Sequence, residues 1–140
     1  MTEEELIKEA FIAQKFSYTP YSHFNVGAAL LTSNQNVYHG CNIENAAYSP
    51  TNCAERTAFF KAVSEGEKDF EMIAIVGNFD DTKEEERDYC APCGVCRQVM
   101  VEFCNPNKFK VILARTETDY KVYSLKDLLP LSFSRNSLNK

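Results

Sequence analysis

The run Met72-Ile73-Ala74-Ile75-Val76-Gly77 is apolar throughout. A strand with one wet face alternates polar and apolar residues. A short unbroken apolar run is typical of a parallel strand buried on both faces. Residues 110–114 read as a further buried strand, and residues 94–103 between the two runs read as a helix. Residues 3–17 predict an amphipathic helix, with Leu6, Ala10 and Ala13 on one face and Ile7 and Phe11 widening the stripe. Thr2 followed by Glu5 resembles a capping box at its start. Residues 25–31 and 36–40, joined by a turn-rich linker, predict a hairpin. Residues 53–64 predict a helix that can bury Ala54, Ala58, Phe59, Ala62 and Val63. Residues 41–52 read as a loop, 80–88 as an acidic, solvated excursion, and 120–123 as an edge strand. Residues 125–129 read as a short helical turn ended by Pro130, and 134–140 as a frayed tail. The order strand, strand, helix, strand, helix, strand implies an α/β fold, a mixed sheet with helices on its faces.

At 140 residues the whole chain, 1–140, is expected to form one domain. A chain of this length buries roughly two-thirds of its unfolded surface and needs no staples. The net charge of −5, with no local basic cluster, argues against nucleic acid and for a small-molecule substrate. No apolar run approaches the ~20 residues of a membrane span. The N-terminus is acidic where a secretory signal is basic, so the chain reads as cytoplasmic. In a reducing compartment, metal binding or burial explains the six cysteines better than disulfides do.

Two cysteine motifs carry the chemistry. The first is Cys53-Ala54-Glu55, followed by Arg56; the second is Pro92-Cys93-Gly94-Val95-Cys96. Both fall at helix starts, where the partial positive charge favours a thiolate. Three thiolates, from Cys53, Cys93 and Cys96, would bind one zinc ion per chain and leave the fourth tetrahedral position for water. Gly94 is expected to ease the turn between the paired cysteines. Arg56 is the candidate cation to offset the excess negative charge, through hydrogen bonds to the thiolates; a solvated surface arginine is the plain alternative. Glu55 stands beside a ligand without being one, placed to move protons while zinc-bound hydroxide attacks an amine-bearing carbon. This order of half-motifs is the signature of zinc-dependent deaminases. A structural zinc knuckle or a set of buried thiols is the bland reading, and Glu55 with Pro92 weighs against it. Cys90 forms a competing pair with Cys93, but only Cys93 is preceded by proline. Cys41, Cys90 and Cys104 therefore read as buried or idle, and His23 and His39 as ordinary polar residues.

With these residues placed, the chain resembles the small homotetrameric cytidine deaminases of pyrimidine salvage, from its first helix to about Phe133. The resemblance rests on Tyr21-Ser22-His23-Phe24-Asn25-Val26-Gly27-Ala28, on Gly40-Cys41-Asn42-Ile43-Glu44-Asn45-Ala46-Ala47-Tyr48, and on the two zinc motifs, the second extended by Arg97-Gln98. It implies a three-layer α/β/α domain with a mixed five-stranded sheet, converting cytidine and deoxycytidine to uridine and deoxyuridine by attack on C4. It implies that Asn42 and Glu44 bind the ribose hydroxyl, that Phe24 packs on the pyrimidine, and that Ala54 and Glu55 read the base edge. It further implies shared sites, with Ala46, Tyr48 and Phe133 reaching a neighbour's pocket. Core packing is the plain alternative for the three aromatics. The chain departs from the family at Cys90-Ala91, where an apolar residue and serine are frequent, and in the longer acidic stretch 80–88. It departs again at Leu131-Ser132, which replace a Gly/Ala-rich approach to the aromatic.

Three rivals remain at this level. A deaminase of aminated antibiotic nucleosides would share the chemistry, and only the sugar-side segment, intact here as Asn42-Ile43-Glu44-Asn45, separates the two. A nucleic-acid-editing deaminase is disfavoured by the acidic charge and by the lack of aromatics interleaved with Lys or Arg. A non-enzymatic zinc module would close its fourth position with protein.

Overall fold

The two apolar runs lie side by side as strands β3 (Phe70–Phe79) and β4 (Lys110–Ala114), paired in parallel from Met72 opposite Lys110 to Ile75 opposite Leu113. The structure, a computed structural model, describes residues 1–138. Strand β1 (Phe24–Thr32) runs antiparallel to β3 and also to β2 (Val37–Cys41), its hairpin partner. Strand β5 (Tyr120–Ser124) closes the far edge, antiparallel to β4. The order β2-β1-β3-β4-β5 makes a mixed five-stranded sheet.

Alternation along β3 sorts the core into two layers. Met72, Ala74 and Val76 meet Leu6, Ile7 and Ala10 of helix α1 (Glu3–Gln14) on one face. Ile73 and Ile75 meet Phe59 of α2 (Ala54–Ser64) and Met100 of α3 (Gly94–Phe103) on the other. Each fully buried aliphatic side chain contributes about 1.5–3 kcal/mol of hydrophobic stabilisation, which fixes the register of both helices on the sheet. The result is the three-layer α/β/α fold. Strand β3 extends beyond its apolar run because Asn78 and Phe79 still pair with Asn25 and Phe24, and Asn78 Oδ1 also accepts from Gln14 Nε2 at the end of α1 at 2.8 Å.

The capping box forms as read: the Glu5 amide donates to Thr2 Oγ1 at 3.1 Å and the Thr2 amide to Glu5 Oε1 at 3.0 Å. Helix α1 ends at Gln14, three residues short of the expected end. Beyond Ala13 its apolar stripe has nothing to bury against. Phe16 is 75% exposed, and the Ser17 hydroxyl turns back to the Gln14 carbonyl at 2.9 Å. Residues 41–52, read as a loop, are pinned by bridges from Ile43 to Tyr18 and to Asn52. Helix α4 (Leu125–Leu128) forms the short turn before Pro130, and Arg135–Leu138 form one 3-10 turn. The rest of the expected frayed tail, residues 139 and 140, lies outside the described residues. Among the described residues no helix is long and apolar enough to cross a membrane.

One close approach sets the site. A Cβ on Gly40 of β2 would stand 2.1 Å from the Ala54 carbonyl, so only glycine lets the first turn of α2 lie directly on the strand.

Candidate active site

Cys53 and Cys93 cap α2 and α3, and these two helix starts converge. The sulfurs of Cys53, Cys93 and Cys96 all lie within 4.8 Å of one another, the one such group of potential metal ligands among the described residues. The Cys53–Cys93 separation is 3.8 Å and the Cys93–Cys96 separation 3.4 Å. Three sulfurs on a tetrahedral zinc with bonds of about 2.3 Å stand roughly 3.8 Å apart, so the donor set fits the ion. Cys96 is buried and Cys93 exposed, so the cluster has an open side.

The electrostatics suit the same reading. The Cys96 and Arg56 side chains beside the Cys53 sulfur lower the Cys53 pKa to about 5, and the Cys53 thiolate in turn raises that of Cys96. Arg56 Nη2 lies 3.3 Å from Cys53 Sγ. This contact raises the Arg56 pKa, and its buried Nε has no partner among the described residues, one donor still free beside the thiols. Glu55, the residue before Arg56 on α2, is only 4% exposed. Burial raises its pKa to about 7, with the Cys53 charge adding to the rise and Arg56 opposing it.

Cys90 is not in the cluster. Its sulfur fills the place of the missing Gly77 side chain, 2.8 Å from where a Cβ would stand, and the edge of Phe24 lies 3.2 Å from that same point. Burial raises its pKa to about 12, so it remains a neutral thiol. Cys41 and Cys104 are free and stand outside the cluster. His39 pairs with Glu9 at 2.8 Å and His23 with Asp80 at 3.3 Å, away from the thiols. The expected turn role of Gly94 is not needed. Its φ is not in the left-handed region and a Cβ there would meet nothing within 4 Å.

The segment expected to bind the sugar folds beside β1. Asn42 Oδ1 accepts from the Val26 amide at 2.9 Å and its Nδ2 donates to the Phe24 carbonyl at 2.8 Å. The amide extends the sheet while keeping one lone pair and one hydrogen for a hydroxyl. Glu44 Oε1 accepts from the Tyr21 and Ser22 amides at 3.1 Å each, and Oε2 from the Ser22 hydroxyl. The Ser22 contact leads in holding this carboxyl below its ordinary range. A cleft of about 450 Å³ opens beside it, lined by Tyr21, Ser22, Glu44, Asn45, Tyr48 and Thr51.

Phe24 is half-buried, its ring edge-on to Phe79 at 4.8 Å. Ala54 is fully buried at the start of α2. Ala46 is exposed, Tyr48 is 73% exposed with φ 62°, and Phe133 is 63% exposed. The Phe133 carbonyl accepts from Gln98 Nε2 at 2.8 Å. Two residues earlier, Leu131 takes φ 51°, a conformation a glycine adopts without strain. Sequence reasoning missed Ser22 and Phe79. Their partners lie 22 and 55 residues away along the chain, and no local spacing signals such a contact.

Residues 1–113 match the family model for the cytidine and deoxycytidylate deaminase zinc-binding region. The chain is 48% identical to the cytidine deaminase of Sporosarcina psychrophila, over 99% of this chain and 96% of that protein. It is also 48% identical to the cytidine deaminase of Halalkalibacterium halodurans, over 99% of each. Among solved structures, the cytidine deaminase of Burkholderia pseudomallei superposes with a TM-score of 0.84 at 46% identity, covering 95% of this chain and 100% of that one. Fold, thiol cluster and relatives agree, and the chain belongs to the zinc-binding cytidine and deoxycytidylate deaminase family.

Proposed function

We propose that this protein hydrolyses cytidine and deoxycytidine to uridine and deoxyuridine, with release of ammonia, in pyrimidine salvage. The observation that carries the reading is Glu55. It is a buried carboxyl poised near neutrality, two residues after the cysteine that caps α2 and joins the three-sulfur cluster. Such a group can take a proton and return it within one turnover.

Cys53, Cys93 and Cys96 would hold one zinc ion per chain, whose Lewis acidity makes water a nucleophile at neutral pH. Glu55 takes a proton from the attacking water as its oxygen bonds to C4 and delivers it to the ring nitrogen. Glu55, again a carboxylate, takes the remaining proton from the hydroxyl now on C4 and passes it to the amine, which leaves as ammonia while the C4 carbonyl forms. Arg56 holds Cys53 as a thiolate and offsets the excess negative charge of three sulfurs. The Ala54 amide, free at the helix start, reads the base edge with Glu55. Phe24 walls the pyrimidine, and Asn42 and Glu44 take the ribose hydroxyl.

The whole chain acts as one catalytic domain, and its sites are shared in a homotetramer. Ala46, Tyr48 and Phe133 are exposed on the single chain, as residues that complete a neighbour's pocket would be. A cytoplasmic setting suits six cysteines without a disulfide. The direct test is the ultraviolet change on incubating purified protein with cytidine and with deoxycytidine. Conversion to the uracil nucleosides with ammonia release is expected. No conversion of either would refute the reading.

A further inference from the structure

The turn between α1 and β1 carries Ser22 and leads into Phe24, the first residue of β1, whose ring packs at the margin of the core. Polar side chains tie that turn to Asn25 of β1 and to Asp80, the residue after β3. Asn25 Oδ1 accepts from the Ser17 hydroxyl at 2.8 Å and the Thr19 hydroxyl at 2.6 Å, while its Nδ2 donates to Asp80 Oδ1 at 2.5 Å. The other carboxylate oxygen of Asp80 pairs with His23 Nδ1 at 3.3 Å, and the Asp80 amide donates to the His23 carbonyl at 3.0 Å. Asp80 thus grips the residues on both sides of Phe24, and the preceding Phe79 packs on the Phe24 ring at 4.8 Å.

This grip matters because His23 sits at φ 58°, a left-handed conformation that costs a non-glycine residue roughly 1–3 kcal/mol and must be imposed from outside. The turn at His23 leaves Ser22 bridging the two halves of the substrate pocket. Its hydroxyl accepts from the Phe24 amide at 3.0 Å and donates to the Glu44 carboxylate. Base wall and sugar acceptor are joined through one hydroxyl, and that hydroxyl is placed by the turn.

We infer that Asp80 and Asn25 are positioning residues for nucleoside binding, holding the His23 turn so that Ser22 ties Phe24 to Glu44. The inference rests on the proposed cytidine deamination, in which Phe24 and Glu44 bind the substrate. Neither residue touches a reacting atom, so loosening the turn weakens binding and leaves the proton transfers at Glu55 intact.

Steady-state kinetics on the zinc-loaded protein separate these effects. Asp80→Ala is expected to raise KM for cytidine about fivefold, with kcat within about twofold of wild type. Asp80→Asn keeps an acceptor for Asn25 and is expected to recover most of the lost affinity. Asn25→Ala reaches the same network from its other end and supplies the comparison if Asp80→Ala folds poorly. The double variant is expected to be little worse than either single one, because the two residues act as a unit. A wild-type protein inactive on cytidine overturns both the deaminase reading and this inference. An active wild type with unchanged KM in the single variants, or with kcat falling in place of KM, overturns the inference alone.

Discussion

The two sides of the site are built by different forces. The thiol side rests on packing: Ala54 and Ala58 are fully buried, Cys96 is 1% exposed, and Gly40 lets α2 lie against its strand. The sugar side rests on hydrogen bonds among exposed groups, with Glu44 tied to Ser22 and Tyr48 standing in solvent. A buried aliphatic or aromatic contributes about 1.5–3 kcal/mol, whereas a net hydrogen bond contributes about 0.5–1.5. In the proposed mechanism the chemistry is therefore anchored in the chain's core, while nucleoside recognition falls to loops held by exposed hydrogen bonds.

The largest effects are expected on the packed side. Cys93→Ala or Cys96→Ala leaves two sulfurs for the ion, so zinc and activity should be lost together. Cys90→Ala, outside the cluster, should keep its zinc. Metal analysis of the three purified variants checks this, and full zinc in Cys96→Ala with loss in Cys90→Ala would reverse the ligand assignment. Next in size is Glu55→Gln, which preserves shape and burial but cannot carry a proton. General acid–base catalysis is worth about 10²–10⁴-fold, and kcat should fall by at least that range with zinc content unchanged. Substantial turnover in this variant would falsify the role of Glu55.

A smaller effect is expected on the exposed side. If Tyr48 and Phe133 complete a neighbour's pocket, diluting the protein should weaken cytidine binding in step with dissociation. Withdrawing one buried aromatic costs about 1.5–3 kcal/mol, or roughly ten- to a hundredfold in affinity. Light scattering and kinetics over one concentration series measure both quantities. A monomer with undiminished affinity would show that the sugar side is complete within one chain.

The same contrast governs what the sequence revealed. Strands β3 and β4, helix α3 and the three thiols were legible because each has a local signature: an unbroken apolar run, a helical stripe, a fixed cysteine spacing. The choice of Cys93 with Cys96 over Cys90 followed from Pro92 and the order of the two half-motifs, and the structure brings those two sulfurs to Cys53. The end of α1, the bridges at Ile43 and the Ser22–Glu44 contact were not legible. They depend on which loop segments meet beside the start of β1, where backbone bridges and the Ser22–Glu44 contact join residues that carry no shared spacing signal. Hydrogen bonds of that kind leave no period in the sequence.

The smallest effect is expected where the sequence suggested a special residue and the structure shows none. Gly94 lies between the paired cysteines, the place where a backbone turn is expected to need glycine. Cys93 already takes an extended φ of −68° as the cap of α3, and Gly94 begins the helix in a conformation open to any residue. A methyl group there meets open space, whereas one on Gly40 would collide with the Ala54 carbonyl at 2.1 Å. Alanine is also the better helix former by up to about 1 kcal/mol, an advantage reduced at the first helical position. Gly94→Ala should therefore keep full zinc content and shift the melting temperature by no more than a few degrees, upward if at all. Loss of zinc in this variant would show that the paired cysteines need a backbone freedom absent from this conformation. The packed side of the site would then be less rigid than its burial implies.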